Sequence, residues 1–457
     1  MPRLADDTAR RLERFCYGAM ADDDLPGLSV AVVEDDGLAY ANGFGSRDLA
    51  ANDPATAETL YGIGSCTKSL TAVAVETLAA AGHLDVHDPV SDHVPFEVET
   101  DEPVTIHHLL THSSGLPSLG VSEALIARRT GRGEPGVPLG DREDFHAHLA
   151  GADDEVVAAP GDRFAYCNTG YVLLGEVVEA YADGSYAEYV EESILDPLGM
   201  TRSTFDGDAL ETDADAMTPY FHGGDDDPEA TPFPERPLTY PTGGLLAPVT
   251  ELATYLRLHL NGGAVDGTRL VSEDAVDRMH EGHVETPSGP YGYGWRRSTV
   301  AGREVVGHGG SIGVASAYLG FVPSAGRGIA LACNTSPSYG LSELGEGALA
   351  VLDGTDPSTL PFFERRERFA ALTGEYEAYR GILSATVTRD GEFLRLDVDG
   401  PGGESAVPLV PVDGTGTGDR FYTLSTSGER EPVRFLRDDG EVRLLYDRRL
   451  FHERRDE

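Results

Sequence analysis

Ser65 and Lys68 stand three residues apart in the segment GIGSCTKS, residues 62–69. A serine hydroxyl is a weak nucleophile and needs a base within hydrogen-bond reach to take its proton. On a helix, a spacing of three puts both side chains on one face, a turn apart. Lysine serves as that base once burial and the positive end of the helix dipole pull its pKa down. Arginine does not, because guanidinium keeps its proton in proteins. Lys68 is the sole lysine in the chain, and every other Lys/Arg position is arginine. A phosphate-binding loop, G-x-x-x-x-G-K-[ST], is excluded because Thr67 stands where the second glycine is required.

Two further clusters carry chemistry: Tyr166-Cys167-Asn168 and His308-Gly309-Gly310-Ser311. Residues 309–313, GGSIG, formally match the G-x-S-x-G nucleophile elbow, which needs a strand, a sharp turn and then a helix. The residues that follow, VASAYLGFVP, alternate as a second strand, so the elbow is set aside. His108 and His112 would share a helical face, but position 109 is Leu and the zinc motif H-E-x-x-H fails. A helix capped near Ser113-Ser114-Gly115 is expected there instead. His83, His87 and His93 lie among Asp85, Asp88 and Asp92 and read as a solvated acidic loop. Cys16, Cys66, Cys167 and Cys333 are widely spaced, so neither a disulfide framework nor a zinc knuckle is expected. No metal or cofactor is expected.

The elements that must position these residues follow from periodicity. Residues 7–20 read as an amphipathic helix, followed by strands LSVAVVED and LAYANGFG joined at Asp35-Asp36-Gly37 as a hairpin at a sheet edge. A helix is expected over 65–81, closed by Gly82. The block from about 105 to 285 holds helical segments VTIHHLLTH, TGYVLLGEVVEAYA and VTELATYLRLHL, and an acidic loop over 223–227. Strand patterns return at YGYGWR, REVVGHGG, VASAYLGFVP and RGIALACN, before a last helix over about 340–353. After the linker GTDPSTLPFF, short alternating runs separated by Gly and Asp mark a small antiparallel meander or barrel. The expected class is α+β: an antiparallel sheet flanked by helices, with an all-helical lobe, over 1–355, and an antiparallel β-barrel over 364–457.

The three clusters, in this order and at this spacing, resemble the serine β-lactamase and penicillin-binding-protein superfamily. The texture is that of the branch with class C β-lactamases, D-aminopeptidases, carboxypeptidases and related esterases. Ser65-Cys66-Thr67-Lys68 matches S-x-x-K, Tyr166-Cys167-Asn168 matches Y-x-N, and His308-Gly309-Gly310-Ser311 matches the HxG variant of K-T-G. The stretches IHHLLTHSSGLP, 106–117, and PTGGL, 241–245, support it over about residues 8–353. The resemblance implies that Ser65 accepts the acyl group and that Lys68 is its base or proton relay. Tyr166 would shuttle the proton to the leaving group, its phenolate stabilised beside a lysine ammonium. Asn168 would hold the lysine and a substrate carbonyl. The backbone N–H groups of Ser65 and Ser311 would form the oxyanion hole. Gly309 and Gly310 would allow substrate close to the strand.

His308 stands where relatives carry a lysine that binds the substrate carboxylate. A neutral imidazole grips an anion less well. The substrate implied is an ester, amide or D-amino-acid peptide, ahead of a β-lactam; a protein that is acylated without turnover, as a sensor, is the second function class. Cys66 and Cys167 flank the catalytic residues and read as packing residues, with redox sensitivity as the alternative. The terminal barrel resembles lipocalin-like domains appended in this branch, which cover the cleft or mediate homo-oligomerisation.

The formal net charge is −43 over 457 residues. That charge excludes nucleic acid and anionic membrane surfaces as partners. A lysine-poor, acidic surface suits concentrated salt, where screening removes its self-repulsion, so a halophilic source is expected. No apolar signal core or membrane span is present, so the reading is a cytoplasmic protein.

Overall fold

The computed structural model describes residues 3–34, 37–96, 98–133, 139–222, 227–337, 339–401, 403–438 and 441–454. The Asp35-Asp36 turn and all but Asp227 of the acidic loop lie outside the described residues. The chain divides into two compact units, Met1–Gly354 and Thr355–Glu457.

The first unit is built on seven strands: β1 (Gly27–Glu34), β2 (Gly37–Asp48), β3 (Asp53–Pro54), β4 (Arg296–Val300), β5 (Arg303–Ser311), β6 (Ser316–Val322) and β7 (Arg327–Cys333). Their order is β4-β5-β6-β7-β1-β2-β3, with every neighbouring pair antiparallel. The two strand groups read from opposite ends of the sequence therefore zip together at β1 and β7, with Val30 opposite Leu331. This explains why β1 is apolar and buried along almost its whole length: it is an interior strand covered on both faces. Alternation assigns the faces. Ala317 and Leu319 join the large core that includes Leu252 and Leu256 of the helix Val249–Leu260. Tyr318 points the other way, onto Gly345 of the helix Leu341–Leu352, where an added Cβ would lie 1.9 Å from its ring.

The segment YGYGWR is not a strand; β4 begins at Arg296. Gly292 and Gly294 explain the break. Gly294 takes φ +71 and passes so close to the backbone of Lys68 that a Cβ would sit 2.8 Å from its carbonyl. In the helical lobe, the helix Thr67–Ala80 packs on Asn168–Glu179, which packs on Ile106–Leu110. The first of these ends as expected: Gly82 is at φ +78, and the N–H groups of His83 and Gly82 donate to the carbonyls of Leu78 and Ala79. His93 does not belong to a solvated loop, since its side chain is 5% exposed and Nδ1 bonds the Tyr181 hydroxyl at 2.7 Å.

The second unit is a closed barrel of eight sequential strands from Gly374 to Glu453. It opens with a helix, Pro361–Ala370, where the sequence suggested a linker running into strands. That helix contributes Phe369 to a core with Leu394, Phe421, Phe435 and Phe451. Closure removes the sheet edges that a meander would leave open. Among the described residues, no helix is long and apolar enough to cross a membrane.

Candidate active site

Ser65 lies in a 3₁₀ turn, Gly64–Cys66, that leads directly into the helix Thr67–Ala80. Thr67 fixes the turn, its hydroxyl donating to the Gly64 carbonyl at 2.8 Å. Lys68 enters the first turn of the helix with no exposed surface. Its Nζ donates to Ser65 Oγ at 3.0 Å and to the Thr242 carbonyl at 2.7 Å. Burial pulls the Lys68 pKa down to about 7, against smaller upward pushes from Cys66, Glu123 and Cys167. An amine in this state keeps an N–H on Thr242 and turns its lone pair to Ser65. The Thr242 carbonyl belongs to the PTGGL stretch, but nothing in spacing alone identifies a backbone acceptor.

Tyr166 donates to the same Ser65 Oγ at 2.9 Å. Desolvation raises its phenol above the ordinary value, with the Ser65 bond pulling the other way, although the residue as a whole is 37% exposed. The phenolate expected at Tyr166 is therefore disfavoured, and the neutral phenol prevails. Lys68 Nζ lies 5.0 Å from the Tyr166 ring centroid and 5.3 Å from that of Tyr171.

The placement of Tyr166 depends on a residue that sequence reasoning passed over. His108 and His112 do not share a helical face, because the helix ends at Leu110 and His112 takes φ +55. There it is 1% exposed, with its ring 4.2 Å from that of Tyr166. Its Nδ1 accepts the Cys167 N–H at 3.1 Å and its carbonyl accepts the Ala165 N–H at 2.8 Å. These bonds clamp the backbone on both sides of Tyr166. Nδ1 accepts, so the proton is on Nε2, which is buried without a partner among the described residues. Burial holds the imidazole well below its usual pKa and keeps it neutral.

Asn168 is the first residue of the helix Asn168–Glu179, with Cys167 at the N-cap. The expected bond to Lys68 is not made. Asn168 Oδ1 is instead buried with no partner among the described residues, and the residue lines the cavity. The cavity holds about 200 Å³ and is lined by Ser65, Ser122, Glu123, Tyr166, Asn168, Arg236, Thr242 and Ser311, among others.

His308, Gly309 and Gly310 do not line it. His308 Nδ1 donates to the Gly309 carbonyl at 2.6 Å and Nε2 accepts from the Tyr291 hydroxyl at 3.0 Å. Both nitrogens are engaged, and burial, with Lys68 nearby, lowers the pKa to about 3. The glycines serve the protein's own packing rather than a substrate's. A Cβ on Gly310 would lie 2.0 Å from the Ile63 carbonyl and 2.8 Å from Ser65 N, and one on Gly309 would lie 2.4 Å from Ser342 Oγ. A Cβ on Gly64 would lie 2.7 Å from Ser311 N. The close fit of turn and strand thus brings the Ser65 and Ser311 amides to one junction. The elbow reading of residues 309–313 fails because β5 turns back into β6.

The two flanking thiols point apart. Cys66 Sγ bonds the His308 carbonyl at 3.2 Å and Cys167 Sγ bonds the Pro117 carbonyl at 3.5 Å. Both are buried and free, and burial pushes Cys66 up to about 12, so it is held as an unreactive thiol. Among the described residues, no group of three or more His, Cys, Asp or Glu is placed to hold a metal ion.

Known proteins match the chain in family and in fold. Residues 12–352 match the model of the beta-lactamase family, and residues 357–452 match that of the Pab87 octamerisation domain. The chain is 26% identical over 345 residues to the protein flp of Staphylococcus aureus strain MW2, covering 74% of this chain and 65% of that protein's length. It is 30% identical over 395 residues to penicillin-binding protein 4 of Amycolatopsis lactamdurans, covering 82% of this chain and 99% of the relative. The structure of an octameric penicillin-binding protein homologue from Pyrococcus abyssi superposes with a TM-score of 0.89 at 36% identity, over 97% of this chain and 100% of that one. The chain belongs to the beta-lactamase family, and its fold is that of the octameric penicillin-binding protein homologue.

Proposed function

We propose that this beta-lactamase family member is a serine acyl hydrolase that passes through an acyl-enzyme on Ser65. The observation that carries the reading is the pair of bonds on one hydroxyl: Lys68 Nζ at 3.0 Å and Tyr166 Oη at 2.9 Å from Ser65 Oγ, at the edge of a cavity. The neutral Lys68 amine takes the Ser65 proton as Oγ bonds to the substrate carbonyl carbon. The resulting oxyanion is held by the amides of Ser65 and Ser311. The neutral Tyr166 phenol passes a proton to the leaving group as its bond to the carbonyl carbon breaks, and is reprotonated from Lys68. Asn168 Oδ1 offers an acceptor to a substrate N–H. Water then cleaves the acyl ester, releasing the acid and restoring Ser65.

The substrate is an ester, amide or D-amino-acid peptide. His308, neutral and closed off, offers no cation for the carboxylate of a β-lactam. The test is incubation in molar salt with a p-nitrophenyl ester, a D-alanyl amide and a chromogenic cephalosporin, with intact mass recorded. Turnover of the ester or amide, lost in Ser65→Ala, is expected. A stable adduct on Ser65 without turnover would replace the hydrolase with an acylated sensor.

The barrel is proposed to assemble copies of the chain. The Pab87 octamerisation domain match over 357–452 and the octameric Pyrococcus abyssi homologue support this. Light scattering should give a mass several times the 48.7 kDa of one chain; a monomer at micromolar concentration would end the reading.

A further inference from the structure

Beside the catalytic cavity lies a second hollow of about 60 Å³, room for a group the size of a carboxylate. Leu125, Arg236 and Thr239 line both spaces, so the two adjoin. The hollow sets the apolar side chains of Leu125, Leu139 and Leu238 beside three guanidinium side chains, Arg128, Arg129 and Arg236. No carboxylate is among its described lining residues. In a chain of net charge −43, three cations on one small hollow call for a reason. Elsewhere in the first unit guanidiniums are neutralised by carboxylates, as in Arg47 with Asp53, Arg202 with Asp213 and Arg278 with Glu76. Arg129 and Arg236 make no such pair with the described residues. Arg128 is held in place by its Nη1, which donates to the Leu139 carbonyl at 2.9 Å. Asp144 adjoins this wall, its carboxylate accepting the N–H of Gly140 at 2.8 Å, and is not among the lining residues.

We propose that Arg236, together with Arg128 and Arg129, binds a carboxylate on the acyl part of the substrate, a few bonds from the carbonyl that Ser65 attacks. The preferred substrates are then amides or esters of acidic acyl groups, such as a peptide cleaved after an acidic residue. The proposal rests on Ser65 as the nucleophile. The leaving group lies at Tyr166, which hands it a proton, and the guanidinium that acts on Tyr166 is Arg296. Arg236 instead precedes the turn Pro237–Thr239 and the helix Tyr240–Gly243, whose Thr242 carbonyl holds Lys68. Its hollow is therefore assigned to the acyl side. An anion next to the reacting carbonyl would meet Glu123 and Glu235 on the cavity wall, whereas one a few bonds further on meets guanidiniums beside leucines. A planar guanidinium pairs with a carboxylate through two parallel N–H bonds, and the apolar walls strengthen the attraction.

The test compares the α-p-nitroanilides of N-acetyl-D-glutamic acid and N-acetyl-D-glutamine, which differ in charge but hardly in shape, with the full chain in molar potassium chloride. The glutamic acid compound is expected to have the higher kcat/KM by about fivefold, short of a buried charge-assisted pair because solvent and salt reach the guanidiniums. That ratio should shrink toward unity in Arg236→Gln, chiefly through KM, and return in part in Arg236→Lys, which restores the charge without the planar fork. A second pair puts the charge on the leaving group, as N-acetyl-D-alanine anilides of 4-aminobenzoate and 4-aminobenzamide, and should show no preference that Arg236→Gln removes. Equal or better use of the glutamine compound, or a preference for glutamic acid that persists in Arg236→Gln, would overturn the arginine inference alone, provided turnover is lost in Ser65→Ala. An Arg236-dependent preference on the leaving group instead would overturn the acyl-side assignment. Turnover that survives in Ser65→Ala, or no turnover and no adduct with any of the four compounds, would overturn both readings.

Discussion

His112 lies against Tyr166 with ring centroids 4.2 Å apart, and it reaches that position only through a left-handed backbone at φ +55. A histidine in that conformation is strained and is kept there by what surrounds it. Its ring and carbonyl both accept backbone N–H groups from the 165–167 segment, so the strain is tied to the placement of the tyrosine that bonds Ser65.

His112→Ala should therefore lower kcat/KM by up to about a hundredfold, as expected when a reacting group shifts by an ångström. His112→Asn should lose less, since asparagine tolerates positive φ and offers a side-chain oxygen to the Cys167 N–H. Kinetics with circular dichroism on both variants decide it. A folded His112→Ala with unchanged rates would show that the ring does not position Tyr166.

Lys68 at about pKa 7 predicts an acid limb in kcat/KM near pH 7, because only the neutral amine accepts the Ser65 proton. In Lys68→Met, turnover should vanish while the Tm stays level or rises, because a buried amine is exchanged for an apolar chain of similar length. Its ordinary pKa is 10.5, so the native state binds fewer protons than the unfolded one between about pH 7 and 10.5, and this residue adds stability as pH rises across that window. An acid limb above pH 9 would contradict the desolvated amine.

Gly310→Ala forces a methyl to within 2.0 Å of the Ile63 carbonyl and 2.8 Å of Ser65 N. Strand and turn must separate, and the oxyanion-hole amides separate with them. Activity should drop by about a hundredfold or more, with a stability loss of about 1–3 kcal/mol. Wild-type rates would place the oxyanion hole elsewhere.

Several histidines are buried and neutral: His308 is lowered to about 3 and His280 to about 4, and His259, bonded to His280 at 3.0 Å, is held well below 6.5. Burial is the largest cause for each. Between about pH 6.5 and 4 the unfolded chain binds protons that the native state excludes, so stability falls as pH falls through that window. At constant molar salt, Tm should decline from pH 7 to pH 5. A flat profile would mean that these rings are hydrated in solution.

A net charge of −43 predicts that Tm rises steeply with potassium chloride from about 0.1 M into the molar range, as screening relieves self-repulsion. Identical melting at both salt levels would remove the halophilic reading.

The sequence by itself determined the chemistry that depends on residue type and local spacing. Ser65 and Lys68 share a helix entry because three residues span one turn, and a lone lysine among arginines marks the position that must lose a proton. Apolar strand runs marked REVVGHGG and RGIALACN, which are buried on both faces over most of their length, and the 3.6-residue period marked the helix Val249–Leu260. The tertiary structure decided what depends on contacts distant in sequence. It joined β1 to β7, closed the eight-stranded barrel and turned the last linker residues into the start of a helix. It set the Thr242 carbonyl on Lys68, 174 positions away. It also reversed expectations at His112 and His308, since which wall of a cavity an imidazole meets depends on packing against Tyr166 and Tyr291. Burial is a property of the folded assembly of side chains. A pKa of about 7 at Lys68 could be inferred in kind from its neighbours in sequence, but only the closed packing around its amine sets its size.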